Sequence, residues 1–405
     1  MELKGLAFVF FIINLFLFAF YPTSALELSN VDGTILNYTI LLFIVVWLII
    51  SYAKLDKSIW ILSLVVICYM IIITIMSMFY NPYARPSIAR LAPVILCLIL
   101  LCCKINLSVS FSKASLLLDI FMFFCILWNI LIISGNEFIY TFTVDYYSQL
   151  YQDATSNMFL KKRPIMSFSI YTFASYFYFL FFLLSYVTYK ELKSKKHIIY
   201  CFILFVFNIL LASNTTLVFS VLMAIMLLKL FDKLHVRLVL IVLIAIIIVY
   251  ILSFTDIYSY YIESLTSDAN GFRGRYLSTG TLSRNLEYVS SSFFIGFTII
   301  DNLSLTYTDS GYMLYYSMGG LFFTICMYYL FYKFLKNNVK YQYKMLFFIT
   351  MMFEVALPVL IYSKFIYAMI FYVIYLNSLY AKQNNLLEST TYERANFISR
   401  RDVSR

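Results

Sequence analysis

A chain of 405 residues that is 63% hydrophobic and only 12% charged is excluded from being a water-soluble globule, because that much apolar surface cannot be hidden in one core. The formal net charge of +10 at pH 7 resolves into a topology signal once its lysines and arginines are sorted by loop, and nucleic acid is a poor reading of it. The seven cysteines lie within or at the edges of apolar runs, where they read as small buried residues without disulfide or metal spacing.

Crossing roughly 30 Å of hydrocarbon takes about 20 apolar residues as a helix. Apolar runs at 5–21, 35–52, 58–80, 88–103 and 114–134 predict the first five spans of an all-α polytopic membrane protein. These runs are apolar all round, unlike the alternating strands of a barrel. The first resembles a signal peptide in having the weak cleavage site Thr23-Ser24-Ala25, but its n-region Met1-Glu2-Leu3-Lys4 carries no net charge. A second outer loop, 135–166, leads to spans at 167–189, 197–212, 216–231 and 237–253. The large outer loop, 254–311, precedes the last three spans, 311–332, 345–362 and 365–381, and a tail at 382–405.

Short positive loops stay cytoplasmic. Lys190, Lys193, Lys195 and Lys196 therefore fix the turn after span six inside. Alternation from there places Lys54, Lys57, Lys104, Lys113, Lys333, Lys336, Lys340 and Lys344 inside as well, with both termini cytoplasmic. Two carboxylates, Asp119 and Glu354, fall within spans.

The outer positive residues are mostly arginine: Arg85, Arg90, Arg163, Arg273, Arg275 and Arg284. A guanidinium pairs bidentately with phosphate, so arginines gathered from three outer loops suit a pyrophosphate. Pairing with the outer carboxylates or with lipid headgroups is the plainer reading of any one of them. The prolines also gather on the outer side. Pro93 and Pro358 fall in the outer halves of their spans, where broken backbone requires protein or water to satisfy it.

In the large loop, 256–266 predicts a short amphipathic helix, and Gly271-Phe272-Arg273-Gly274-Arg275-Tyr276 a turn whose glycines let backbone approach an anion. Leu282, Leu286, Val289 and Phe293 recur at helical spacing, with Arg284 and Glu287 on the other surface. The loop ends in Asp309-Ser310-Gly311-Tyr312, with Gly319-Gly320 two to three turns deeper. Asp309 and Tyr312 read either as a sugar or proton site at a cavity mouth or as part of a helix cap. Glu354, one helical turn before Pro358, costs about 2.5–3.5 kcal/mol to insert and must have a partner or a role. Tyr276, Tyr307 and Tyr312 can stack on sugar, although most Tyr in such a chain sits at the water interface. Both histidines, His197 and His235, fall on the cytoplasmic side, so an outer base must be Asp, Glu or Tyr.

The twelve spans, the long outer loop before the final three, the outer arginines, Lys161-Lys162-Arg163-Pro164, and Asp309-Ser310-Gly311-Tyr312 running into Gly319-Gly320 resemble the O-antigen polymerases of the Wzy family. An arginine followed 16 positions later by glycine, described for some members, is not matched from Arg163, Arg273, Arg275 or Arg284. The resemblance implies a metal-independent, cofactor-free glycosyltransferase of the bacterial inner membrane with a periplasmic active site. It would move a growing chain from undecaprenyl pyrophosphate onto the next lipid-linked repeat unit, alongside a chain-length regulator as a further partner. In that reading Arg273, Arg275, Arg284, Arg163 and Arg90 hold the pyrophosphate, Tyr276 and Tyr312 hold sugar, and Asp309, Glu287 or Glu354 is the base. An O-antigen ligase would use a histidine in the large loop, and 254–311 has none. A lipid-linked oligosaccharide flippase or other transporter remains the alternative of a different class; such proteins are commonly built from repeats with helices broken near the midplane.

Overall fold

The computed structural model describes residues 8–16, 31–80, 88–107, 109–142, 159–166, 171–230, 310–339, 342–355 and 358–402, with residues 235, 237–239, 241–242, 245–246, 259, 262 and 296 besides. Apolar runs become helices because a helix satisfies every backbone group internally where no water can. In chain order these are α1 (Val31–Tyr52), α2 (Lys57–Tyr80), α3 (Ile88–Leu101), α4 (Phe111–Ile133), the short α5 (Glu137–Thr141), α6 (Tyr171–Leu192), α7 (Lys195–Leu210), α8 (Asn214–Leu228), α9 (Gly311–Asn338), α10 (Tyr343–Glu354) and α11 (Ser363–Asp402). Residues 8–16 are helical as well. Among the described residues five helices are long and apolar enough to cross a membrane: Lys57–Phe79, Phe111–Ile133, Tyr171–Leu192, Gly311–Asn338 and Lys364–Asn384. The large loop's two amphipathic helices fall almost wholly outside the described residues, and of the span expected at 237–253 the described residues 237–239, 241–242 and 245–246 are helical.

Burial separates the helices into two kinds. Along α6 every side chain from Thr172 to Thr188 is buried, and α11 is buried from Phe365 through Leu376. By contrast α2 exposes Ile61, Val65, Ile72 and Phe79. A helix apolar on its outward face is one solvated by lipid, so α6 and α11 form the core and α2 its rim. Stacked rings cement that core: Phe121 on Phe181 at 3.9 Å and Phe219 on Phe353 at 3.5 Å.

The structure departs from the expected fold in three places. A two-stranded ladder, β1 (Ala53–Leu55) with β2 (Cys103–Ile105), interrupts the all-helical pattern at the ends of α1 and α3. Asn338, the last residue of α9, holds this ladder: its Oδ1 accepts from the Ile105 amide at 2.6 Å and its Nδ2 donates to the Cys103 carbonyl at 2.8 Å. Span ten is broken within, at Gly319 (φ −149°, ψ 22°) and Gly320 (φ 66°, ψ −164°). Only glycine adopts the latter conformation readily. Expected span eleven stops as a helix at Glu354, so Pro358 lies beyond the helix and not in its outer half. The tail expected at 382–405 begins as a continuation of α11, which runs to Asp402.

Asn338→Ala is expected to lower stability by about 1–3 kcal/mol, because the buried Ile105 amide loses its acceptor. Thermal unfolding of the purified chain in detergent measures this directly.

Candidate functional site

The two carboxylates within the expected spans have opposite surroundings. Asp119 on α4 is paired: Lys196 Nζ lies 2.6 Å from its Oδ2, and the Tyr200 hydroxyl donates to Oδ1 at 3.0 Å. Glu354 is fully buried and has no cation beside it among the described residues. Its Oε1 accepts from the Tyr315 hydroxyl at 3.2 Å and from the Leu360 amide at 3.0 Å, while Oε2 has no hydrogen-bond partner there. The buried Tyr328 hydroxyl and the Val359 amide lie close enough to stabilise this carboxylate, though neither reaches full hydrogen-bond geometry.

The arrangement follows from where α10 stops. A proline disfavours helix in the residue before it and removes a donor, so α10 ends short of Pro358 with its last carbonyls unsatisfied. The first turn of α9 supplies the missing donors. The Tyr312 hydroxyl donates to the Met351 carbonyl at 2.8 Å, and Ser310 Oγ reaches the Glu354 carbonyl at 3.5 Å. On the far side of the break, Cys97 Sγ of α3 donates to the Leu360 carbonyl at 3.0 Å. Phe353 anchors the end of α10 through Phe219 and through Tyr176, whose ring meets it edge-on at 4.6 Å.

Gly311 closes the site from the α9 side. A methyl group placed there would come 1.5 Å from Glu354 Oε2 and 3.0 Å from the Pro358 Cα. The carboxyl therefore occupies the space that any other residue at 311 would fill. Deeper along α9 a second close approach occurs at the break. A methyl group on Gly296 would come 2.6 Å from the Gly319 nitrogen, and the Tyr69 hydroxyl of α2 donates to the Gly319 carbonyl at 3.1 Å. The Gly319 carbonyl at the break is thus satisfied by protein, as apolar surroundings require.

Arg163 lies at the same end of the bundle. Residues 159–166 are pinned by Asn129 of α4, whose Oδ1 accepts from the Met166 amide at 3.0 Å, and by Tyr178 of α6, whose hydroxyl bonds the Pro164 carbonyl. This strap holds the mostly buried Arg163 guanidinium over the Tyr171 ring at 5.4 Å. The first turn of α6 in turn meets the 355–362 break through Phe173 and Tyr362, ring centroids 4.9 Å apart.

Of the residues expected from sequence to form the site, Glu354 and Tyr312 are brought together, and Arg163 is held at the same end without bonding to Glu354. The Tyr312 hydroxyl is engaged with backbone rather than presented toward a sugar. Asp309, Glu287, Arg273, Arg275, Arg284 and Tyr276 lie outside the described residues, as does the Arg90 side chain. Sequence reasoning missed Tyr315, Tyr328 and the Leu360 amide. Tyr315 was available as a signal, one helical turn after Tyr312 and so on the same face. Among the described residues no three His, Cys, Asp or Glu side chains gather to hold a metal.

No protein-family model, curated protein or solved structure matches this chain.

Proposed function

We propose that this chain is a surface-polysaccharide polymerase, a twelve-span glycosyltransferase of a bacterial inner membrane with its active site on the periplasmic face. The observation that carries the reading is the seating of Glu354, a fully buried carboxyl with no cation beside it among the described residues, against Ser310 and Gly311 at the start of α9. An intramembrane ionisable group without a cation is a functional-site candidate by default. The lysine-bearing ladder Ala53–Leu55 with Cys103–Ile105 lies at the other end of α9 from Gly311, in keeping with lysines inside and the Glu354 end outside.

In the reaction, the bond from the donor sugar's anomeric carbon to the undecaprenyl pyrophosphate oxygen breaks as a new bond forms to a hydroxyl of the acceptor repeat unit. Glu354 takes the hydroxyl proton as general base. The leaving pyrophosphate keeps the electron pair, and guanidiniums preorganised around it stabilise that charge without a metal. Arg163, with Arg273, Arg275, Arg284 and Arg90 from neighbouring segments, supplies them. Holding Arg163 on Tyr171 fixes the guanidinium before substrate arrives, and a group fixed in advance needs no reorganisation during the reaction.

A second reading has one observation in its favour. The glycine break inside α9 and the early end of α10 are broken helices of the kind that line transport sites, which suits a lipid-linked oligosaccharide flippase.

Surface polysaccharide from a strain lacking the chain, resolved on a gel, separates the two. Loss of a polymerase converts the ladder to a single repeat unit, and Arg273→Ala, Arg275→Ala and Arg284→Ala variants that express normally fail to restore it. Loss of a flippase removes even the single unit from the surface and leaves lipid-linked units inside. An unchanged ladder overturns both readings.

A further inference from the structure

The end of α9 remote from Glu354 carries a second charged feature, which no step of the proposed reaction uses. In the antiparallel ladder Lys54 stands directly opposite Lys104. Both are exposed, and side chains paired in this way share one face with Cβ atoms roughly 4.5–5.5 Å apart. Like charges directly opposite are destabilising, and on a loose hairpin the strands would part. Here the strands are held together. Cys103 and Ile105, on either side of Lys104, are buried, and Asn338 bonds both of them through the backbone. The Asp56 amide adds a bond to the Cys102 carbonyl at 3.3 Å.

A third lysine, Lys57, stands exposed at the start of α2, two residues beyond β1. Among the described residues none of the three side chains has an ion-pair or hydrogen-bond partner. Asp56, the carboxylate in the same turn, is engaged elsewhere. Its Oδ1 accepts from the Ser58 hydroxyl at 2.8 Å and the Ser58 amide at 3.2 Å, and its Oδ2 from Asn337 at 3.5 Å. The Ser58 hydroxyl holds that carboxyl below its usual pKa range.

We infer that Lys54 and Lys104, set opposite each other on pinned strands with Lys57 beside them, form a seat for the phosphate of an anionic lipid headgroup. A phosphate between the ammonium groups replaces their repulsion with two attractions. Basic groups at the ends of membrane helices attract anionic headgroups in this way. A lipid rather than a soluble phosphate is indicated by what flanks the lysines. The strands begin where α1 and α3 end, which sets the ammonium groups at the boundary of the apolar region. Ile50 on α1 and Ile61 on α2, the helices that flank β1, are exposed apolar side chains, suited to acyl chains.

The test is thermal unfolding of the purified full chain in neutral detergent, with phosphatidylcholine or phosphatidylglycerol vesicle lipid added. Phosphatidylglycerol is expected to raise the Tm of the wild type by several degrees over phosphatidylcholine, and Lys54→Gln/Lys104→Gln to lose at least half of that shift. In phosphatidylcholine the same double variant is expected to be as stable as wild type or more so, because a repulsion has been removed. A control pair at another lysine-rich turn, Lys190→Gln/Lys193→Gln, is expected to keep the shift. The inference is overturned if the ladder variant keeps the full shift, or if the control loses as much of it. It is overturned equally if the ladder variant is less stable in phosphatidylcholine, which makes the lysines structural, or if inorganic phosphate reproduces the shift, which assigns the seat to a soluble anion. None of these outcomes depends on the reaction at the Glu354 end.

Discussion

Glu354→Gln is expected to leave the protein folded and to reduce polymer formation by about 10²–10⁴-fold, the range that a general base supplies. The amide keeps an oxygen where Oε1 now accepts from Tyr315 and from the Leu360 amide, so the stitch across the 355–362 break survives. What disappears is the ability of the group to take a proton. Glu354→Ala should behave differently, because it also strands the Tyr315 hydroxyl and the Leu360 N–H in a dry interior at about 1–3 kcal/mol for each group. Comparing the two by thermal unfolding in detergent and by the polysaccharide ladder separates chemistry from scaffolding. A Gln variant that unfolds normally but makes only single repeat units supports Glu354 as base. A Gln variant with a normal ladder reduces Glu354 to an acceptor that ties α10 to its neighbours, and moves the base to Asp309 or Glu287.

The helices legible in the sequence are those whose ends coincide with a change in polarity. The run at 58–80 became Lys57–Tyr80, 114–134 became Phe111–Ile133, and 197–212 became Lys195–Leu210. Hydropathy fails where polarity stays constant while the backbone changes. Val355 to Leu360 is as apolar as the helix before it, so the run reads as one span through 362, yet Pro358 ends the helix at Glu354. Gly319-Gly320 lies in an apolar stretch, and only its dihedral angles betray the break. The ladder was hidden for a similar reason: Ala53 and Cys103 continue the apolar ends of their spans, and the pairing depends on Asn338, more than two hundred residues away from Cys103 in sequence.

The site was legible in part and for a specific reason. An acidic residue in an apolar run is conspicuous, so both Asp119 and Glu354 could be singled out from sequence. Which of them is neutralised depends on a contact across helices, between Lys196 on α7 and Asp119 on α4, and no spacing rule along the chain reveals it. Tyr312 was noticed as a candidate ligand for sugar. That its hydroxyl caps Met351 instead follows from the premature end of α10, which leaves carbonyls in need of donors.

Gly311→Ala is expected to be as damaging to activity as Glu354→Gln, and in addition to lower stability by about 1–3 kcal/mol, the usual cost of overfilling a packed site. The new methyl group would meet Glu354 Oε2 at 1.5 Å and Cδ at 2.7 Å. The carboxyl can retreat only by giving up the Leu360 amide or the Tyr315 hydroxyl. Backbone movement offers little relief, since the same methyl group would come 3.0 Å from the Pro358 Cα and the Leu360 carbonyl is held by Cys97. Shortening the acid by one methylene should relieve the clash, so Gly311→Ala/Glu354→Asp is expected to unfold at a higher temperature than Gly311→Ala alone. Residues in contact are expected to couple in this way, and distant ones to add. Thermal unfolding of wild type, both single variants and the double variant gives the coupling directly. Additive effects would mean that Gly311 and Glu354 do not touch, and would remove the convergence on which the proposed base depends.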